Sequence, residues 1–484
     1  MSSTADPRRP VDLAPHGASG VTVNDLHSRL NPTVVDRIVA VRSTADARAA
    51  ILAAAAEGKV ICVSGGRHAM GGQQFAQGGV LLDTRGYDTV RAFDRERGLI
   101  EVESGMQWPE LIAWLVENQP GDERQWGIRQ KQTGADRLSI GGAVSANVHG
   151  RGLTLPPFVG DVESLTLLGP DGERRTCSRT ENAELFRLVC GGYGLFGFID
   201  TVTVRLSPRQ KVRRAVEIET ADRLMPRFDE RIADGYEFGD FQFALDPRSG
   251  DFLRRGIFSC YKPAPNDTPI PAQQRALSAE DWKKLLWLAH FDKQGAWDAY
   301  AAHYLGTDGQ VYWSDTHQLS TYIDDYHTWV DAESKAEHPA TEIISELYVP
   351  RPELDAFLAE AAADFREHGV DCIYGTIRLI ERDDESFLAW AKEPYACTIF
   401  NLHTSHTSEG REHSAAAFRR LIDIAARRGG SWFLTYHTFG TREQILRCYP
   451  QFPEFLRLKR QYDPGERFQS EWYRHHVRLL SPER

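Results

Sequence analysis

Three glycine clusters in the first two hundred residues, each at the end of an apolar, β-favouring run, constrain this chain more than any other feature. In the first, residues 60–79, Val60-Ile61-Cys62-Val63 stops at Ser64-Gly65-Gly66. It then passes Arg67-His68-Ala69-Met70 and turns glycine-rich again at Gly71-Gly72-Gln73. The second is QTGADRLSIGGAVSANVHGRG, residues 132–152, and the third is GGYGLFGFI, residues 191–199. A strand exit without Cβ atoms lets the backbone approach another body closely. Three such exits are read either as one long ligand lying across several turns or as loops packed on neighbouring backbone.

Around the clusters the patterning alternates between strands and helices. Residues 43–58 carry the Ser/Asp start, alanine-rich body and glycine stop of a helix. Residues 60–63, 79–83 and 98–103 read as strands, and Pro109 opens an amphipathic helix over 109–118. Strand 162–168 and Thr176-Cys177 flank the turn Gly169-Pro170-Asp171-Gly172, a hairpin signal, and 201–206 is an alternating strand. Beyond Leu206 the glycine clusters cease. Amphipathic stretches 279–291, 352–368 and 413–428 alternate there with strands 342–347 and 374–380. This predicts a second domain over 209–430 with a mixed sheet and covering helices, followed by an aromatic-rich segment 431–484. Residues 1–20 are expected to be a poorly ordered arm.

Composition excludes several function classes. With 57 Lys+Arg against 68 Asp+Glu and the basic residues scattered, neither a nucleic acid nor an anionic membrane is an expected partner. Seven dispersed cysteines without CxxC spacing read as reduced thiols of a cytoplasmic protein. No signal-peptide core and no membrane-spanning run is expected. His403, His406, His437, His475 and His476 lack HExxH or carboxylate–His spacing, so no metal is expected. There is no GxSxG elbow, no GxxxxGK[ST] loop and no well-placed nicotinamide fingerprint. Unhindered backbone N–H groups can still converge on a pyrophosphate. Redox chemistry on a bound organic cofactor is the class that remains.

The ordered series GGRHAMGGQ, LSIGGAVSANVHG, GPDG hairpin and GGYGLFGFIDTVTV resembles the vanillyl-alcohol-oxidase family with its PCMH-type FAD-binding domain, over residues 34–206. The texture is similar to that of cytokinin dehydrogenases, whose GRGHS-x-x-GQ carries a histidine bonded to the flavin 8α-methyl carbon. The resemblance implies an α+β, two-subdomain FAD-binding fold over 21–208, completed by 431–484, with a substrate domain inserted between. It implies FAD held covalently by His68. Gly65, Gly66, Arg67, Ala69 and Gln73 are then the first set of FAD contacts, with Gly134, Ser139, Gly141, Gly142 and Ser145 in the second loop and Ile199 at the adenine end. Trp472 and Tyr473 are expected to contact the flavin or wall the site, or to be core packing. No cysteine lies between Cys62 and Cys177, so a second, cysteinyl flavin bond is not implied.

Two positions depart from the family. Gly134 stands where cytokinin dehydrogenases place a catalytic Asp, with Asp136 in another register. TIRLIERDD resembles the EIR-x-x-x-x-D-D segment of alditol and aldonolactone oxidases, with Arg378 beside the flavin but Thr376 at the glutamate position. His403 in FNLHT and Tyr436-His437 in LTYH fall near the active-site histidine and lysine of those oxidases. A neutral histidine can accept a substrate proton and a guanidinium can stabilise negative charge. The expected catalytic set is therefore Arg378 with His403 or His437 as base, and His149 as a further candidate. The expected reaction is oxidation of a C–OH or C–N bond of a small molecule, with oxygen as acceptor. A dehydrogenase using another acceptor, which the bulk of Val148 favours, and a flavin-binding protein with a degenerate site are the alternatives.

Overall fold

The computed structural model describes residues 20–320, 323 and 325–481. The arm expected over 1–20 therefore lies, but for Gly20, outside the described residues. The described chain is α+β. Its first half holds a three-stranded parallel sheet in the order Arg37–Ala40, Val80–Asp83, Ile61–Ser64. Val80–Asp83 is central and buried along its whole length, which is why it reads as an apolar run without alternation. Helix Thr44–Ala56 covers the sheet. The Ser43 hydroxyl accepts from the Asp46 N–H at its start, and Ala47, Ala50, Ile51 and Ala54 form the buried stripe.

An antiparallel five-stranded sheet follows, in the order Arg174–Ser178, Val162–Leu168, Phe198–Arg205, Leu99–Glu103, Val90–Asp94. The GPDG turn joins its first two strands, with Leu168 opposite Arg174. Against its Leu99–Glu103 and Phe198–Arg205 strands packs the helix Ile140–Ala146, capped by Ser139, whose Oγ accepts from the Gly142 N–H at 3.2 Å.

The remainder is built on one eight-stranded sheet. Its order is Val311–Trp313, Lys211–Thr220, Arg255–Ala264, Phe238–Phe243, Cys372–Ile380, Tyr395–Ser405, Ala340–Pro350, Ser431–Trp432. Every pairing in it is antiparallel, so the mixed sheet read from the sequence is corrected. The reason is connectivity: the helix crossovers from Lys211–Thr220 to Phe238–Phe243 and from Ala340–Pro350 to Cys372–Ile380 join parallel strands that are not adjacent, because an antiparallel strand is inserted between each pair. Helices Leu354–His368 and Ser408–Arg427 pack on one face, where Phe400 meets Phe357 and Phe365. Ile399 and Asn401, at alternate positions of the same strand, turn to the opposite face.

The chain end returns to the first half. The Ile61 N–H donates to the Arg467 carbonyl at 2.7 Å and the Gln469 N–H to the Ile61 carbonyl at 2.9 Å. Phe468 is buried with Ile61, Val80, Leu82 and Tyr87. The largest core is continuous from Trp108 and Ile140 of the first half to Phe400, Trp432 and Trp472, so the two halves share packing.

Candidate active site

A cavity of about 680 Å³ runs between the glycine loops and the exposed face of the eight-stranded sheet. That is within the roughly 300–1,000 Å³ of cofactor and small-molecule sites. The strand Ile61–Ser64 delivers the first loop to it. A Cβ on Gly65 would stand 2.2 Å from Ser139 Oγ, and one on Gly66 would stand 2.1 Å from the Arg137 carbonyl oxygen. The glycine pair is thus demanded by the second loop packing onto the first. Gly65, Gly66, Arg67, His68, Ala69, Gln73, Gly134, Ser139, Gly141, Gly142, Ser145 and Ile199 all line the cavity.

His68 Nδ1 lies 2.7 Å from His27 Nε2, while His68 Nε2 is buried without a hydrogen-bond partner. Burial, reinforced by His27, holds His68 well below the usual histidine range, so the ring is neutral. If Nδ1–H is donated to His27, the Nε2 lone pair is left free. Ser64 Oγ, Ser104 Oγ and Thr133 Oγ1 are likewise buried without partners on this wall. A cradle of close-packed glycines with orphaned polar atoms is chemically suited to a polar, extended ligand such as FAD. Gln73, on the cavity wall, also ties two segments together. Its Oε1 accepts from the Gly71 N–H, and its Nε2 donates to the Leu434 and Thr435 carbonyls at 3.1 and 2.9 Å. It braces the segment that carries Tyr436.

The opposite wall supplies charge. Helix Ile140–Ala146 ends on Asn147 in the left-handed region, φ 48°, and this turn aims His149 at the sheet. Its Nδ1 faces the Gly150 carbonyl at 3.0 Å and its Nε2 meets the Glu346 carboxylate. The same Glu346 oxygen accepts from Tyr348 Oη at 2.7 Å and Cys397 Sγ at 3.1 Å. Burial opposes ionisation of Glu346, but the adjacent His149 and these hydrogen bonds outweigh it and hold the carboxyl at about 2. Two turns of the pleat away, Glu342 is held at about 2 against the same burial penalty by His290, His327 and Tyr326. Arg378 is 5% exposed, and its Nε lacks a partner. Among the described residues no carboxylate ion-pairs with it. Tyr436 lines the cavity beside Glu346 and Arg378, and burial raises its phenol well above the ordinary value.

Four expected site residues lie elsewhere. His403 shares the face of Ile399 and Asn401 but is one pleat further along. There it packs against the His290 ring at 5.2 Å and lines a separate cavity of about 310 Å³. His437 points away because its neighbour Tyr436 faces the cavity. It stacks on Phe418 at 4.6 Å, contacts Ser345 Oγ at 3.2 Å, and is pushed by burial to about 3. Trp472 stands behind the cavity wall, against Tyr193 at 4.5 Å, and donates Nε1–H to the Leu434 carbonyl. Tyr473 caps Lys459 and donates to Glu466. Both are core packing, the second of the two readings. Asp136 is occupied by Lys131 Nζ at 2.5 Å and the Ser320 N–H at 2.7 Å.

Sequence reasoning missed Glu342, Glu346, Arg151, Asp240 and Arg214, all on the cavity wall. The signal for the first two was present in ATEIISELYVP, where carboxylates four apart in an otherwise apolar strand must share one face.

A fold that stacks glycine-walled loops against a polar sheet face defines a dinucleotide-flavin-binding protein, and comparison with known proteins agrees. A family model described as an FAD binding domain matches residues 35–178. The uncharacterized oxidoreductase ORF5 in the fasciation locus of Rhodococcoides fascians is 32% identical over 196 residues, 40% of this chain and 42% of that protein. Cytokinin dehydrogenase 7 of Oryza sativa subsp. japonica is 28% identical over 166 residues, 32% of this chain and 29% of that protein. The chain thus spans less than half the length of these relatives. Decaprenylphosphoryl-beta-D-ribose oxidase of Mycolicibacterium smegmatis is 21% identical across 98% of this chain and 99% of its own. Residues 35–178 are thus similar to the FAD binding domain, and the relatives that share it are named as oxidoreductases, dehydrogenases or an oxidase.

Proposed function

We propose that this protein is an FAD-dependent oxidoreductase that oxidises a C–OH or C–N bond of a small molecule, with the flavin carried covalently on His68 and oxygen as acceptor. The observation that carries the reading is the continuity of one cavity from the glycine loops around His68 to the sheet face bearing Glu346, His149, Arg378 and Tyr436. FAD, when bound, supplies the two-electron acceptor. The first and second loops and Ile199 would hold it, and the unpartnered Nε2 of His68 is the atom open to a covalent bond.

The chain's own residues divide the remaining work. Glu346, ionised and buried, accepts the substrate proton together with His149. Held at about 2, Glu346 is a weaker base than the same group in water, so it acts as the hydrogen-bond acceptor of the substrate O–H or N–H and takes the proton only as hydride leaves. Arg378, with no carboxylate among the described residues ion-paired to it, stabilises negative charge developing in front of the sheet. Tyr436 orients the substrate oxygen or nitrogen by its neutral O–H. A carboxylate supplied by Ala340–Pro350, two strands across the sheet from Thr376, argues against the degenerate-site alternative. Val148, buried on the cavity wall, favours a second reading in which oxygen access is restricted and another acceptor is used.

The test is the visible spectrum of acid-precipitated protein. Yellow colour is expected to stay with the pellet for the wild type and to pass to the supernatant for His68→Asn. Colour released from the wild type would refute the covalent bond. Hydrogen peroxide production across a panel of alcohols, sugars and amines separates an oxidase from an enzyme that reduces only an artificial dye.

A further inference from the structure

The cavity does not end at Arg378. It continues along the sheet beneath helices Ala279–Phe291 and Lys293–Leu305, whose Trp282, Trp297, Tyr300 and Tyr304 roof it. Its floor there crosses neighbouring strands in order: Arg378 and Tyr374, then Asp240 and Gln242, then, past the strand whose buried Tyr261 lies behind the wall, Arg214. Arg214 is paired directly across from Tyr261 in the register.

Two guanidiniums gather at this far end without adequate counter-ions. Arg214 donates to Tyr261 Oη and to Thr307 Oγ1 at 3.0 Å. It lies about the rings of Tyr261, Tyr304 and Tyr312 at 5.0, 5.2 and 5.4 Å. Its partners are all neutral, and among the described residues no carboxylate ion-pairs with it. Arg151 approaches the same Tyr261 ring at 5.8 Å. Its side chain is 11% exposed, and its buried Nε has no partner. Its one carboxylate, Asp240, is at a loose 3.4 Å and also receives Gln242. Arg275 adds a third cation at the mouth. A charge held out of water without a counter-ion is costly, and aromatic faces recover only part of that cost.

We infer that Arg214 and Arg151 form a subsite for an anionic group, a carboxylate or a phosphate monoester, on the end of the substrate distal to the oxidised carbon. Three strand steps separate Arg378 from Arg214, roughly 14 Å at about 4.8 Å per step. The substrate is therefore elongated. Its reacting end lies before Glu346 and Arg378, its apolar or aromatic middle lies under Trp282, Trp297 and Tyr300, and its anion lies at the far end. This assignment rests on the proposed function for which end reacts, but the anion preference does not depend on turnover.

The experiment titrates the full chain as purified, calorimetrically, with three probes that share one body: 6-phenylhexanoate, 6-phenylhexyl phosphate and 6-phenylhexan-1-ol. At least one anion is expected to bind tenfold or more tighter than the alcohol, and the tighter of the two identifies the carboxylate or the phosphate. Arg214→Gln should cut that preference below threefold and leave the alcohol's affinity within twofold, whereas Arg214→Lys should keep most of it. Should Arg214→Gln not fold, the exposed-rim variant Arg275→Glu decides, with at least a fivefold loss of anion affinity expected. Equal binding of all three probes, a preference unchanged in both Arg214→Gln and Arg151→Gln, or an unmoved Arg275→Glu would overturn the subsite. Flavin content is read separately from visible absorbance. Protein without flavin refutes the proposed function, and flavin-loaded protein without anion preference refutes only this subsite.

Discussion

Glu346 is the side chain in which burial and charge conflict most directly. It sits 1% exposed, yet His149, Tyr348 and Cys397 all converge on one of its oxygens. Replacing it by Gln keeps the shape and removes the charge. His149 then faces an amide, and the proton loses its acceptor. With a substrate that reduces the wild-type flavin, Glu346→Gln is expected to slow anaerobic flavin reduction by about 10²–10⁴-fold, with flavin content unchanged. His149→Gln should act similarly, and the double variant should be no slower than about the slower single one, because the two act as a unit. A reduction rate within threefold of wild type in rapid mixing would remove the pair from the mechanism. The sequence hid this pair for a physical reason. His149 was legible as a glycine-flanked histidine near the ring, but its partner is 197 residues away and becomes a neighbour only through the loop's left-handed turn and the register of the sheet. His437 was misleading on the same scale, since the turn after strand Ser431–Trp432 puts Tyr436 on the cavity and leaves His437 against Phe418.

Elements with local causes were the ones the sequence revealed. Helix Thr44–Ala56 followed from its cap and stripe, and the hairpin at Gly169 from its turn residues. Ala279–Phe291 carries a Ser278–Asp281 capping box at the start expected for it. The eight-stranded order was not legible, because neighbours such as Phe238–Phe243 and Cys372–Ile380 meet across more than a hundred residues of chain. The closing strand-like segment at Phe468 offers the sharpest test at this scale. Phe468 is fully buried between Ile61, Val80 and Leu82, and its flanking backbone pairs with Ile61. Phe468→Ala is expected to cost about 3–5 kcal/mol in urea unfolding and to weaken flavin retention, since Ile61 opens the strand that delivers the first glycine loop. A cost below about 1 kcal/mol would mean that the tail does not hold the loop. Gly66→Ala addresses the loop itself. The added methyl would meet the Arg137 carbonyl, so the two loops must part. The expected outcome is protein with unchanged far-ultraviolet dichroism that purifies with little flavin, and a full complement of flavin would contradict the cradle.

For the molecule as a whole, the two halves share one core and close over one cavity, and several histidines are buried in the fold. Burial is the leading cause that lowers His437 to about 3, His476 to about 3 and His327 to about 4. The sign follows from linkage. An unfolded histidine takes up its proton near pH 6.5, while these three stay neutral in the folded state until far lower pH, so the unfolded chain binds more protons and stability falls on acidification. Above about pH 7 the three groups contribute no pH dependence. Between about pH 6 and 4 each contributes on the order of 1.4 kcal/mol per pH unit, together roughly 4. Against a typical total of about 5–15 kcal/mol this is enough to unfold the protein within that interval. Glu342 and Glu346, both held at about 2, add a second loss only once the pH falls below their unfolded range near 4.5, so the first decline belongs to the histidines. Urea unfolding at pH 7.5, 6.0 and 5.0 should therefore show stability falling by about 2 kcal/mol over the first step and about 4 over the second. His437→Gln, which keeps a hydrogen-bonding group near Ser345 but cannot titrate, should remove about a third of the slope. A midpoint constant from pH 7.5 to 5.0, or a slope unaltered in His437→Gln, would show that these rings reach solvent in the folded protein.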